Sequence, residues 1–259
     1  MTAQATFTSL VGALIFYPWQ IVGLWRSINR HIEETNKCFW ANMVRVLVVF
    51  SFLGVIVNLT SYWPMYKGVY KMAFEKDEYA DYIVNLNDTG TLIHLKGGLG
   101  FGVSKEVEQL IEKHPYVGGI ILDSPGGRLY EGRELSKIIT INALDTYSLK
   151  GCYSACATAF ISGNKRFLAK GANLAFHQYR AALEFGALYV DLSNEQNKDL
   201  DIYKRQGINS EFLDKIFQAR NEDFWKPTTE VLMRNGVVHK IVNPADLELT
   251  FPSMFTPQR

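Results

Sequence analysis

Residues 1–25 contain no Lys or Arg, although they hold the apolar run Leu10–Trp25 (LVGALIFYPWQIVGLW). No small-residue cleavage site follows that run. Together the two absences argue against a cleaved signal peptide. A charge imbalance is lacking as well. The net charge is +1, and no basic stretch is interleaved with aromatics, so nucleic acid is not an expected partner. Cysteine is scarce, with three in 259 residues. No matching pair of ligands stands near any of them, so neither a zinc site nor another cofactor is expected. Internal repeats and low-complexity segments are also missing, which leaves one or two ordinary domains.

What is present is unevenly distributed. Val46–Met65 reads VLVVFSFLGVIVNLTSYWPM and carries no charge. At 1.5 Å per residue a run of this length spans a hydrocarbon core, and Tyr62 and Trp63 suit the headgroup interface. The run 10–25 is shorter and holds Pro18 and Gln20. It is expected to cross the bilayer, to re-enter it or to lie in the interface. Arg26, Arg30, Lys37 and Arg45 lie between the two runs, which places that loop in the cytoplasm and everything after about residue 66 on the far side. In a bacterium that side is the periplasm. Residues 1–81 are therefore expected to form a membrane anchor and linker, with Tyr66–Asp81 a charged linker or a helical extension of the anchor. Residues 82–259 form a separate domain.

Within that domain, strand-like segments alternate with helical ones. Tyr82–Leu86, Thr91–Leu95, Val117–Leu122, Thr146–Leu149 and Asn173–His177 read as strands. Ser104–Lys113, with Ser104 as its cap, and Glu131–Thr140 read as helices. So do most of 187–220, broken at Gly207 with Asn209 or Ser210 as the second cap, and Thr229–Arg234. Val237–Val242 reads as a closing strand. The alternation predicts an α/β domain with right-handed crossovers. Gly97–Gly102 looks in part like a dinucleotide fingerprint, but the third glycine spacing fails and no acidic partner follows.

The chemistry concentrates at Gly151–Phe160. A strand enters a small-residue turn, and a helix begins near Ala155. Ser154 stands at the hand-over, where the helix start offers unpaired N–H groups. One reading makes it a plain N-cap. The other makes it a nucleophile, with His177 returning beside it as base after one crossover, and Gly126 and Gly127 bringing backbone close to a ligand. Cys152 and Cys156 straddle Ser154. They read as small buried packing residues or, in an exported domain, as an oxidisable pair. Cys38 falls in the loop between the apolar runs. Lys165 and Arg166 read as a solvated turn.

Ser-Pro-Gly-Gly (124–127), Ser154 before its small-residue helix, Gly163–Phe167 (GNKRF) and His177-Gln178 resemble, in order and spacing, the proteolytic subunit of the Clp protease, a member of the Clp/crotonase superfamily. The likeness covers roughly residues 90–245. Cys152–Cys156 and Trp225–Thr228 are similar to motifs of a membrane-anchored or periplasmic Clp-like group. The resemblance implies a repeated β-β-α/βαβ superhelix preceded by a transmembrane helical anchor. It implies Ser154 as nucleophile, His177 as general base, Asp223 (or its neighbour Glu222) as the third member, and the N–H groups of Gly127 and Ala155 as an oxyanion hole. The implied activity is serine peptidase, and the implied partners are a peptide or unfolded protein, the lipid bilayer and further copies of the chain. Asp123 departs from the family, many members of which have Asn there, and 178–206 shows little motif match, which bears on ring assembly. The hydrophobic anchor is similar to signal-peptide-peptidase-like members of the superfamily. Those use a Ser–Lys dyad, for which Lys165 and Lys198 are the candidates. A crotonase-type acyl-thioester enzyme and a non-catalytic membrane scaffold are the other readings.

Overall fold

The computed structural model describes residues 3–74, 77, 79–180 and 191–243. The last residues of the chain and 187–190, where a helix was expected to begin, lie outside these. The described residues fall into two compact units, one ending at Lys76 and the other starting at Asp77.

The first unit is three helices: α1 (Ala3–Thr35), α2 (Phe39–Ser61) and α3 (Trp63–Phe74). Two of them are long and apolar enough to cross a membrane, over Phe7–Thr35 and Phe39–Ser61. α1 continues through Pro18. At 1.5 Å per residue its 29-residue apolar part reaches about 44 Å, so this segment is long enough to span where the run 10–25 taken alone was short. The two long helices are tied by a few polar contacts, Tyr17 Oη to Ser51 Oγ at 2.6 Å and Arg45 to Asn29 Oδ1 at 2.8 Å. α3 folds back so that Tyr70 and Phe74 meet Phe7 edge-on. The stretch after Met65 is thus helical as far as Phe74.

The second unit is built on a six-stranded sheet. Its strands are β1 (Tyr82–Leu86), β2 (Leu92–Gly97), β3 (Gly119–Asp123), β4 (Asp145–Ser148), β6 (Arg166–Ala169) and β8 (Lys240–Val242), in that spatial order. β1 pairs antiparallel with β2, and every other neighbour is parallel. β3 is buried at all five positions, which is why its sequence GIILD has no alternation. Helices α4 (Val103–Lys113), α5 (Leu129–Ile141), α6 (Ala155–Ile161), α7 (Leu192–Arg205), α8 (Ser210–Ile216) and α9 (Thr229–Arg234) complete the unit.

Continuous hydrophobicity hid one layer. After leaving the main sheet, successive strands enter a second, smaller one. β5 (Gly151–Tyr153) and β7 (Asn173–Ala175) pair in parallel there. Isolated bridges extend this layer, joining Leu99 to Gly127, Ser124 to Cys152 and Phe176 to Trp225. Segments of one to three residues carry no periodic signal, so they read as turns in the sequence. The expected strand Val237–Val242 is likewise shorter.

Four charged side chains are buried among the described residues, Asp123, Glu131, Arg166 and Asp199. The Glu131 carboxylate accepts from the N–H groups of Gly102 and Ser104, both at 2.9 Å, and from the Ser104 hydroxyl. The N-cap of α4 is Gly102, and Ser104 lies inside the helix; an anion from a distant helix does the capping that was expected of Ser104. Arg166 is buried, against the expectation of a solvated turn. Its guanidinium donates to the carbonyls of Ile161 and Gly163 after α6 and of Gly236 and Val237 after α9. It is a cation held at the negative ends of two helices, and burial pushes its pKa down to about 10. Asp199 joins α7 to Arg133 of α5, to Thr158 of α6 and to Tyr179.

Candidate active site

Ser154 sits between β5 and α6 with φ 54° and ψ −125°, a conformation that an L-residue rarely adopts. It occupies the N-cap position, yet its side chain makes no capping hydrogen bond. The plain-cap reading therefore loses the bond that would define it. Strain at a single residue persists only when its surroundings over-determine it, and here they do. The Ser154 N–H donates to the Ala175 carbonyl at 2.9 Å, and the Tyr153 N–H to the Ser124 carbonyl at 3.0 Å. α6 follows with all seven residues buried. Its Ala-rich composition lets a helix pass through the core without displacing it.

Upstream, Asp123 sets the approach. One carboxylate oxygen accepts from the N–H groups of Leu149 and Lys150, both at 2.8 Å, and so fixes the turn that leads into β5. The other lies 3.0 Å from His94 Nε2. Burial alone would raise this acid; the bonds from His94, Lys150 and Leu149 outweigh it and hold its pKa below the usual range. The sequence marked Asp123 only as a departure from a family pattern, and His94 not at all.

Gly126 and Gly127 bring the next wall close. Gly126 has φ 96°, and a Cβ on it would lie 2.6 Å from the Tyr153 carbonyl and 2.9 Å from Ser154 Cβ. In the parallel bridge between Leu99 and Gly127, the bonds run from Leu99 N–H to the Gly126 carbonyl and from Arg128 N–H to the Leu99 carbonyl. That pattern leaves the N–H of Gly127 itself facing away from Leu99. The N–H of Ala155, first residue of α6, is a second donor. Among the described residues neither N–H is engaged in a hydrogen bond. An oxyanion hole is built from such free N–H donors, at about 3–4 kcal/mol each.

His177 follows two residues after Ala175, which is paired with Tyr153 across the β5–β7 ladder. Its ring is half-buried, 4.8 Å from the ring of Phe224, which in turn lies 6.0 Å from that of Tyr153. Burial lowers the imidazole pKa below 6.5; the Gln178 backbone acts against this, and Arg180 reinforces it. Nδ1 is buried without a hydrogen-bond partner. The loop after His177 is fastened by the Gln178 N–H to the Ala219 carbonyl and by the Tyr179 N–H to Gln196 Oε1. The Asp199 cluster thus backs both α6 and the histidine loop. No sequence motif announced it, because its members are scattered over α5, α6, α7 and the loop.

Neither His177 nor Asp223 is bonded to Ser154 or to the other. Among the described residues no hydrogen bond joins Ser154 Oγ to His177. Asp223 is exposed, just before the Trp225 that pairs with Phe176, and its carboxylate makes no bond to the ring. Glu222 is exposed and faces Arg220 at 3.8 Å. Lys165 is exposed, and Lys198 pairs with Glu195 on the surface of α7. Neither lysine is buried, and neither lies within hydrogen-bond reach of Ser154 among the described contacts. Cys152 and Cys156 are joined in a disulfide, where packing thiols were the favoured expectation.

No family model and no curated protein matches this sequence. A solved structure does: a mutant of ClpP1 from Listeria monocytogenes, over 61% of this chain and 94% of that one, with a TM-score of 0.50 and 14% identity. The fold is Clp-like. At that identity the likeness speaks for the architecture alone, and the chemistry must stand on the residues around Ser154. The Clp-like fold does account for the short strands of the second layer. They carry Ser124–Gly127, Ser154 and His177 to one edge, from three successive passes through the sheet.

Proposed function

We propose that this chain is a membrane-anchored serine peptidase whose Clp-like domain, 82–259, lies on the non-cytoplasmic side of the membrane. In a bacterium this is the periplasmic face of the inner membrane. The fold is read as the repeated β-β-α superhelix of the Clp/crotonase superfamily. The substrate is a peptide or an unfolded protein segment, and the oligomeric form is a symmetric assembly of identical chains. His177, kept neutral by burial, takes the proton of Ser154. The serine oxygen attacks the scissile carbonyl, and the oxyanion is received between the N–H groups of Gly127 and Ala155. The imidazolium then protonates the leaving amine, and water resolves the acyl-enzyme by the same route. Asp223 completes the triad when the turn carrying Phe224 closes over substrate and brings an acid to the unbonded Nδ1.

One observation carries this reading: a serine held in a strained conformation at a helix start, without the capping bond that would explain it, with the N–H groups of Ala155 after it and of Gly127 unengaged. The test is hydrolysis of an unfolded, fluorogenic peptide by the full chain in detergent. The wild type should cleave it, and Ser154→Ala should not, with an unchanged melting temperature. Cleavage retained in Ser154→Ala, or a large loss of stability in that variant, would make Ser154 structural. A second reading has its own support. The serine and histidine are not hydrogen-bonded and Asp223 stands in solvent, which suits a non-catalytic scaffold on the same fold. That reading predicts no turnover of any peptide.

A further inference from the structure

The Cys152–Cys156 disulfide encloses the candidate nucleophile. Cys152 is the middle residue of β5 and Cys156 the second residue of α6, with Cα atoms 5.2 Å apart. The ring they close contains Tyr153, Ser154 and Ala155, that is, the serine and one of its two oxyanion donors. Both cysteines are fully buried. A bridge spanning four positions restricts the unfolded chain far less than one closing a long loop. Its main consequence is therefore local: it ties the end of a strand to the start of a helix across a residue with φ 54° and ψ −125°. With the bond open, the turn can relax toward ordinary dihedrals. The positions of the Ser154 hydroxyl and of the Ala155 N–H both depend on that turn. Gly126 lies against this turn and has no Cβ; one built there would meet the Tyr153 carbonyl at 2.6 Å and Ser154 Cβ at 2.9 Å.

We propose that the Cys152–Cys156 disulfide is a positioning element for Ser154, so that the site is assembled only in the oxidised protein. This rests on the serine-hydrolase reading. Forming the bond removes two electrons and two protons from the two thiols. A disulfide carrier of the thiol–disulfide exchange class accepts them and leaves as a dithiol. Reduction by a dithiol runs the same exchange backwards. The consequence is a compartment gate. A chain still in a reducing cytoplasm carries Ser154 in a relaxed turn, and the peptidase matures once its domain reaches an oxidising space.

The experiment uses the full chain in detergent, oxidised, reduced with dithiothreitol, and reoxidised, with thiols counted at each stage. The first readout is the rate at which a fluorophosphonate labels Ser154. Reduction should slow it about a hundredfold, the loss expected from a displacement of about 1 Å at a reacting centre, and reoxidation should restore it. The double variant Cys152→Ser, Cys156→Ser should be slow and indifferent to reductant, while Cys38→Ser should respond like the wild type. The second readout is hydrogen exchange, which needs no activity. On reduction it should accelerate in residues 151–160 and stay unchanged in β3 and β6. Free thiols at both positions in protein made in an oxidising compartment, wild-type labelling by the double-serine variant, or exchange that is unchanged or rises throughout the domain would each overturn the proposal. If the oxidised wild type is never labelled, the hydrolase reading fails, and exchange still decides whether the bond holds the turn.

Discussion

The two units use the same apolar residues in opposite ways. In α1 and α2 the large side chains face outward: Trp19 is 71% exposed and Phe50 66%, and Ile28 and Ala41 are the buried apolar residues among those described. In the Clp-like unit, Ile120, Ile121, Leu122, Leu135 and Ile139 are wholly enclosed, and the buried polar groups are tied into networks around Glu131, Arg166 and Asp199. The difference fits two solvents. A helix with apolar residues on every side gains nothing from a protein core it does not have, and it satisfies its own backbone internally, which suits a hydrocarbon surround. A sheet domain in water must enclose its apolar faces and pair every polar group that it buries.

The largest effect should come from breaking a network in the second unit. Arg166→Met removes the donor shared by the carbonyls that follow α6 and α9. We expect a loss of about 3–5 kcal/mol in a denaturant titration of the domain. A loss under about 1 kcal/mol would mean that those carbonyls find water instead. Next, a charge placed outward tells the two solvents apart. Phe50→Asp should cost about 2.5–3.5 kcal/mol of insertion and reduce recovery in the membrane fraction. Ile141→Asp, at a position 81% exposed on the Clp-like unit, should shift stability by less than about 0.5 kcal/mol. Equal tolerance at both positions would mean that α2 faces water.

Smaller still is the strain at Ser154. Ser154→Gly should relax the turn and raise stability by about 1 kcal/mol while abolishing any serine-dependent reaction. A destabilised glycine variant would show that the conformation costs nothing. The smallest effect follows from pH. The folded-state pKa of His177 lies below its unfolded value of 6.5, so the neutral ring contributes stability above pH 6.5 that is lost as pH falls through the lowered value. His239, beside the Arg166 guanidinium, is lowered too, chiefly by burial, and acts in the same direction. Serine reactivity should stay level from pH 8 down to about 6.5 and then decline, with a midpoint below 6.5. A midpoint above 7 would remove His177 as the buried base.

Much of this was legible in the sequence because it rests on short-range signals. The uncharged run Val46–Met65 announces a helix long and apolar enough to span, GIILD a buried parallel strand, and Ser154 before Ala-Cys-Ala a helix start. Thr229–Arg234 is a helix over the residues expected of it. What escaped is long-range. Arg166 reads as a turn residue until two helix ends meet at it. Ser104 reads as a cap until Glu131 arrives from another helix. The second strand layer consists of bridges that no local pattern encodes, and the disulfide depends on a Cα separation that spacing alone does not set. A partner for His177 is least legible of all: Asp223 lies in an exposed turn, and its carboxylate makes no bond to the ring.

The central claim is that Ser154 is a nucleophile activated by His177. The most direct measurement is to treat the full chain with a fluorophosphonate at pH 8 and map the adduct by mass spectrometry in the wild type and in His177→Ala. The account predicts one adduct, on Ser154, that His177→Ala removes while its melting temperature is retained. Adduct on another serine, equal labelling of Ser154 in both proteins, or none in the oxidised wild type would contradict it.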